Sequence, residues 1–203
     1  MWDSVPERNN ACAQFAHFID PLRRDDMHYS LWDFALETYR RPGVQETCLK
    51  LQDDLGADVN MLLYCCWRGE FADGEMRALL ADVAPWQNGV IHGLRRVRRT
   101  LKPMVAELGE LSESASSLRN KIAALELEAE KLQHSMLQRH SVEFGQTSSA
   151  SPQAAAHNLT QYFKLLQKTQ EEELNDMLET LLMAAFPNSA KEDIKADMRR
   201  AQF

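Results

Sequence analysis

Residues 94–136 read LRRVRRTLKPMVAELGELSESASSLRNKIAALELEAEKLQHSM, and this stretch decides the fold. Its apolar residues fall at Leu94, Val97, Leu101, Met104, Leu108, Leu111, Ala115, Leu118, Ile122, Leu125, Ala129, Leu132 and Met136. The steps alternate three and four over about six heptads, the spacing of a helix seam that faces another helix. A long helical arm follows, with Leu108, Leu111, Leu118, Ile122, Leu125 and Leu132 as its pairing seam. Pro103 predicts a kink or a restart, and the serines between Ser112 and Ser117 mark a weak zone. Past Pro103 the arm would run about 55 Å at 1.5 Å per residue.

The rest of the chain supports the same class. Its 203 residues make one ordinary domain, or a small core with an extension. An apolar share of 44% beside a charged share of 26% is a globular balance and excludes wholesale disorder. Helix formers dominate and no run alternates with period two, so the expected class is all-α. The formal charge of −7 argues against nonspecific nucleic-acid binding by the whole surface, while leaving room for a local basic patch. No signal peptide is evident at the start of the chain. The longest nearly unbroken apolar run, Val59 to Trp67, is far shorter than the roughly 20 residues of a membrane span. Cys12, Cys48, Cys65 and Cys66 lack CxxC spacing and read as reduced, buried thiols of a cytoplasmic protein.

Five parts follow along the chain. Residues 1–29 form an N-terminal extension, with a helix opened at Ser4 and striped by Cys12, Phe15, Phe18 and Ile19. Residues 30–87 form a helical core. Ser30 caps its first helix, Gly56 ends another in the left-handed conformation, and Asp58 caps the apolar helix through Trp67, which the others surround. Asp73 then caps a short helix that Pro85-Trp86 breaks. Residues 88–140 are the long kinked helix and residues 141–153 a loop. Residues 154–203 hold a return helix, Leu159 to Ala185, folding back along the arm as an antiparallel coiled-coil-like hairpin, and a short C-terminal helix opened by Ser189.

The segments WDFALETYRRPGVQETCLKLQDDLGADVNMLLYCCW (32–67), APWQNGVIHGLRRVRRTLK (84–102), ALELEAEKLQ (124–133) and HNLTQYF (157–163) carry a resemblance. In this order they look like the DUF2390 family of proteobacterial proteins, from about Ser30 to Phe163. The resemblance implies a small, mainly helical, cytoplasmic bacterial protein. It carries no activity and no site residues with it.

Among candidate sites, Arg95, Arg96, Arg98, Arg99 and Lys102 stand on one helix, with positions 95, 98, 99 and 102 on a shared face. One reading is a docking strip for RNA phosphates, the ribosome or an acidic protein surface. The other is a solvated face paired internally with acids such as Asp53, Asp54 or Asp58. Those three aspartates superficially resemble the magnesium-binding motif of helical isoprenoid-diphosphate synthases. Gly56 interrupts the acids and no second motif exists, so a helix end followed by an aspartate cap is preferred. Adjacent Cys65 and Cys66 point about 100° apart and make neither a metal pair nor an easy disulfide. The six histidines show no zinc spacing, and the common nucleotide-binding and serine-hydrolase signatures are missing.

The preferred functional expectation is a non-catalytic adaptor or regulatory binding protein that docks a macromolecule through its hairpin and the basic strip at its root. A protein partner is favoured, RNA or the ribosome comes second, a homodimer is compatible with the seam, and no cofactor is implied. The alternative is a small helical enzyme or metal-dependent ligand-binding protein using Asp53, Asp54 and Asp58.

Overall fold

The computed structural model describes residues 30–144, 150–168 and 172–201; the helix expected near Ser4 lies outside the described residues. The described residues form helices and no strand, so the all-α reading holds. Helix α1 is Leu31–Tyr39, α2 Val44–Leu55 and α3 Val59–Trp67. Their ends follow the sequence. Ser30 Oγ accepts the Asp33 amide at 3.1 Å, Gly56 takes φ of 72° after α2, and Asp58 accepts the Asn60 amide at 2.9 Å. Every residue from Val59 to Cys66 is buried, and α3 is the centre of the core.

Helix α4, Glu75–Trp86, departs from expectation at both ends. It starts after Gly74, in the left-handed conformation, and not at an Asp73 cap. Pro85 sits inside it and does not break it. A π turn, Gln87–Ile91, carries the chain directly into α5, His92–Glu107, which also contains Pro103. Pro85 only forgoes the bond to the Ala81 carbonyl a turn earlier, and the helix continues past it into the π turn.

The chain reverses at Leu108 to Leu111, where Gly109 takes φ of 54° and a short 3-10 turn follows. Helix α6, Ser112–Phe144, then runs back against α5. The single 55 Å arm therefore does not exist. The three-four alternation continues through the reversal because the turn happens to preserve the residue count, and the serine zone forms unbroken first turns of α6.

The remaining helices are α7 (Pro152–Leu165), α8 (Glu172–Ala185) and α9 (Lys191–Ala201). The expected return helix from Leu159 to Ala185 is thus two helices, separated after Leu165 where Gln167 takes φ of 56°. Neither covers the stripe. Leu159, Phe163, Leu178 and Leu181 close the core around α3, while Ile194 and Met198 of α9 pack with them.

Reversal at Gly109 brings residues 97 and 125 to the same height on neighbouring helices. Helix axes in contact lie about 8–10 Å apart, so spin labels at these two positions are expected within about 20 Å. A straight helix would hold them about 42 Å apart at 1.5 Å per residue, and that spacing would refute the reversal.

Candidate functional site

The inner side of the α5–α6 pair is charged. Arg95 and Arg98 are 7% and 2% exposed, and both point at buried carboxylates of α6. Arg95 Nε donates to Glu126 Oε1 at 2.9 Å, Nη2 to Glu130 Oε1 at 3.2 Å and Nη1 to Gln52 Oε1 of α2 at 2.8 Å. Arg98 Nε donates to Glu126 Oε2 at 2.6 Å. Burial opposes ionisation of Glu126, but hydrogen bonds from Arg98 and Arg95 outweigh it and hold the carboxyl down at about 2. Glu130 has the opposite balance: burial and the charge of Glu126 push it up to about 7 against its single bond from Arg95.

The same side of α6 satisfies groups at the ends of other helices. Gln133 Nε2 donates to Asp58 Oδ2 at 2.6 Å and Gln133 Oε1 accepts from Asn60 at 2.6 Å, tying α6 to the N-terminus of α3. Gln138 accepts the Leu31 amide, an otherwise unpaired donor in the first turn of α1, at 3.2 Å. Trp86 Nε1 donates to the Ala129 carbonyl at 3.0 Å. Beside them His134 is buried edge-on to Trp32, no hydrogen bond reaches either ring nitrogen, and burial lowers its pKa to about 3. A polar helix face lies inward because it meets helix ends and guanidinium groups.

The apolar residues consequently divide into two series. Leu94, Leu101, Ile122 and Met136 are half-buried, and Ala115 and Ala129 are buried. The other series, repeating every seventh residue, is exposed throughout: Val97 47%, Met104 42%, Leu111 63%, Leu118 50%, Leu125 50% and Leu132 54%. Leu108 at the tip is 38% exposed. The expected seam of Leu108, Leu111, Leu118, Ile122, Leu125 and Leu132 is therefore corrected: all but Ile122 are exposed to solvent. On both helices the exposed series stands about a quarter to nearly half a turn from the arginines or carboxylates, at 100° per residue. The arginine–glutamate pairing thus turns both sets to one outer side.

The basic strip is corrected as well. Arg95 and Arg98 belong to the interior, leaving Arg96, Arg99 and Lys102 exposed. Arg99 pairs with Asp53 at 3.1 Å, as the internal-pairing reading anticipated. An open cleft of about 560 Å³ lies beside them, lined by Gln52, Asp53, His92, Arg95, Arg96 and Arg99 among others.

The three aspartates are not gathered into a metal site. Asp53 and Asp54 are exposed on α2, whereas Asp58 is committed to Asn60 and Gln133. Among the described residues no group of three or more His, Cys, Asp or Glu is placed to hold a metal ion. Cys48, Cys65 and Cys66 are buried free thiols, and burial raises all three, Cys48 to about 12; Cys12 lies outside the described residues. Among the described residues no helix is long and apolar enough to cross a membrane.

Sequence reasoning missed a second buried cluster, in which Arg68 donates to Glu75 at 2.6 Å and stands 4.1 Å from the Phe71 ring centre. Tyr64 joins it to Ser141 of α6 at 2.5 Å, and Asn158 of α7 donates to the carbonyls of Cys65 and Gly69. These bonds fasten the loop between α3 and α4. They form a structural clasp.

A family model described as a protein of unknown function, DUF2390, matches residues 30–137. The chain belongs to the DUF2390 family. The matched region runs from α1 to near the end of α6, and so contains the arginine–glutamate cluster and the exposed series. It ends before Phe163, where the resemblance in the sequence ended. No curated protein and no solved structure matches the chain.

The two glutamates give a signed pH test. A carboxyl raised to about 7 in the fold binds its proton more tightly folded than unfolded, so stability falls as pH rises from about 4.5 to about 7. Glu130→Gln removes that loss. Urea midpoints should show the variant gaining on the native chain across this window, by on the order of 3 kcal/mol; parallel profiles would refute the assignment.

Proposed function

We propose that this protein is a non-catalytic cytoplasmic binding module in which the helical core holds the α5–α6 pair as a hairpin arm, and the outer side of that arm docks a protein. One observation carries the reading: the series from Val97 to Leu132 exposes large apolar side chains at every seventh residue. A monomer rarely leaves a contiguous apolar patch of more than a few hundred Å² open to water. Seven-residue spacing fits helices laid along the arm and does not fit a pocket for a small molecule.

The buried side supports the same reading. Arg95 and Arg98 both bond Glu126, and Arg95 also bonds Glu130 and Gln52, which suits a rigid support for a surface. Arg96, Arg99 and Lys102 edge the root of the arm and supply a charged rim that orients a partner without supplying most of its affinity.

The test is capture by the tagged full chain, compared with Leu118→Glu/Leu125→Glu after both are shown folded by circular dichroism. The native chain is expected to retain a discrete protein, further copies of itself included, at low and at high salt, and the double variant to lose it. Identical capture by both would overturn the reading.

A further inference from the structure

The outer side of the arm has a symmetry of its own. On α5 the exposed pair is Val97 and Met104; on α6 the central exposed pair is Leu118 and Leu125, flanked by Leu111 and Leu132. The midpoint of the first pair falls between residues 100 and 101. That of the α6 set falls between 121 and 122. The bonds from Arg95 and Arg98 to Glu126 put these two midpoints at nearly the same height. A single two-fold axis across the arm therefore exchanges Val97 with Met104, Leu118 with Leu125 and Leu111 with Leu132.

Charge follows the same axis. The exposed base Arg96 lies towards the root of α5 and Lys102 just past its midpoint, whereas exposed acids, Glu107, Glu110 and Glu113, gather around the tip. Arg96 and Glu107 flank the apolar series on the same edge of α5, since eleven residues make close to three helical turns. Turning a second copy about the axis lays its tip over this root and brings Glu107 of the second copy within about two residue steps of Arg96. An arm with like charges at both ends would repel itself in that arrangement; this one is self-complementary.

The size also fits. A face of two helices, each about 10 Å across and about 30 Å long from the tip to Leu132, presents on the order of 600 Å². This approaches the roughly 800 Å² per partner of a standard stable interface.

We infer that the docking surface is self-recognising: two copies of this chain stack their α5–α6 arms tip over root into a four-helix bundle with two-fold symmetry. The inference rests on the module reading above and names its partner. In the interface Val97 meets Met104 of the second copy and Leu118 meets Leu125 of the second copy, while Arg96 pairs with Glu107 of the second copy at both ends of the α5 edge. Such an interface is isologous and closes at two subunits.

Sedimentation equilibrium of the full chain tests it. The native chain should be a dimer at micromolar concentration, and Leu118→Glu/Leu125→Glu should raise the dissociation constant at least a hundredfold. Arg96→Glu and Glu107→Arg, both at exposed positions, should each raise it about tenfold, and their combination should recover most of that loss. A chain that stays monomeric at 100-fold higher concentration, about 100 μM, overturns the inference, whether residues 1–29 or a different protein covers the face. A dimer indifferent to the leucine changes overturns it too, and failure of the double charge reversal to recover overturns the tip-over-root arrangement. In the monomeric case capture by the apolar face still decides the module reading by itself.

Discussion

The contact between Arg95 and Arg98 of α5 and Glu126 and Glu130 of α6 is the constraint from which the rest of the arm follows. Two guanidinium groups and the Glu126 carboxylate held away from water cost several kcal/mol each in desolvation, so they persist only when paired, while Glu130, with one hydrogen bond, is pushed towards its neutral form. That demand fixes the height of α6 against α5 and the rotation of both helices. Apolar packing alone would leave several registers nearly equal. A guanidinium shared among Glu126, Glu130 and Gln52 admits only one.

Rotation has a price in surface. With charged groups turned inward, and with Gln133 and Gln138 serving the first turns of α3 and α1, the series Leu111, Leu118, Leu125 and Leu132 of α6 is left at its outer edge. The helix is inverted relative to an ordinary amphipathic surface helix. Inversion of this kind is unfavourable for an isolated chain, and it is the ground on which we propose the arm as an interaction element and the core behind it as its support.

The sequence legibility of this fold was uneven, for physical reasons. Local signals carried well: Ser30 and Asp58 as caps, Gly56 as a terminator, and the all-round apolar character of α3 each depend on a few adjacent residues. Orientation did not. A stripe such as Leu111, Leu118, Leu125 and Leu132 states that a surface will be covered, and it is silent on whether the covering group belongs to the same molecule. The reversal was marked by Gly109, a favourable residue for a left-handed helix end, but unbroken spacing across it read as one helix. Two bases spaced i+3, Arg95 and Arg98, before Gly109 and two acids spaced i+4, Glu126 and Glu130, after it were the available sign that two helices pair through their charges. Pro85 misled in the other direction, because a proline inside a helix removes one backbone bond and can kink the helix without ending it.

Neighbouring residues on α6 offer the most direct test, since the account gives Leu125 and Glu126 opposite places. Unfolding free energies of Leu125→Gln and Glu126→Gln, taken at protein concentrations low enough that stability no longer depends on concentration, compare the two sides of one helix. The change at Leu125 is expected to stay within about 0.5 kcal/mol, while the change at Glu126, which strips the counter-charge from Arg98, is expected to cost about 3–5 kcal/mol. A costly change at Leu125 beside a tolerated one at Glu126 would contradict that placement.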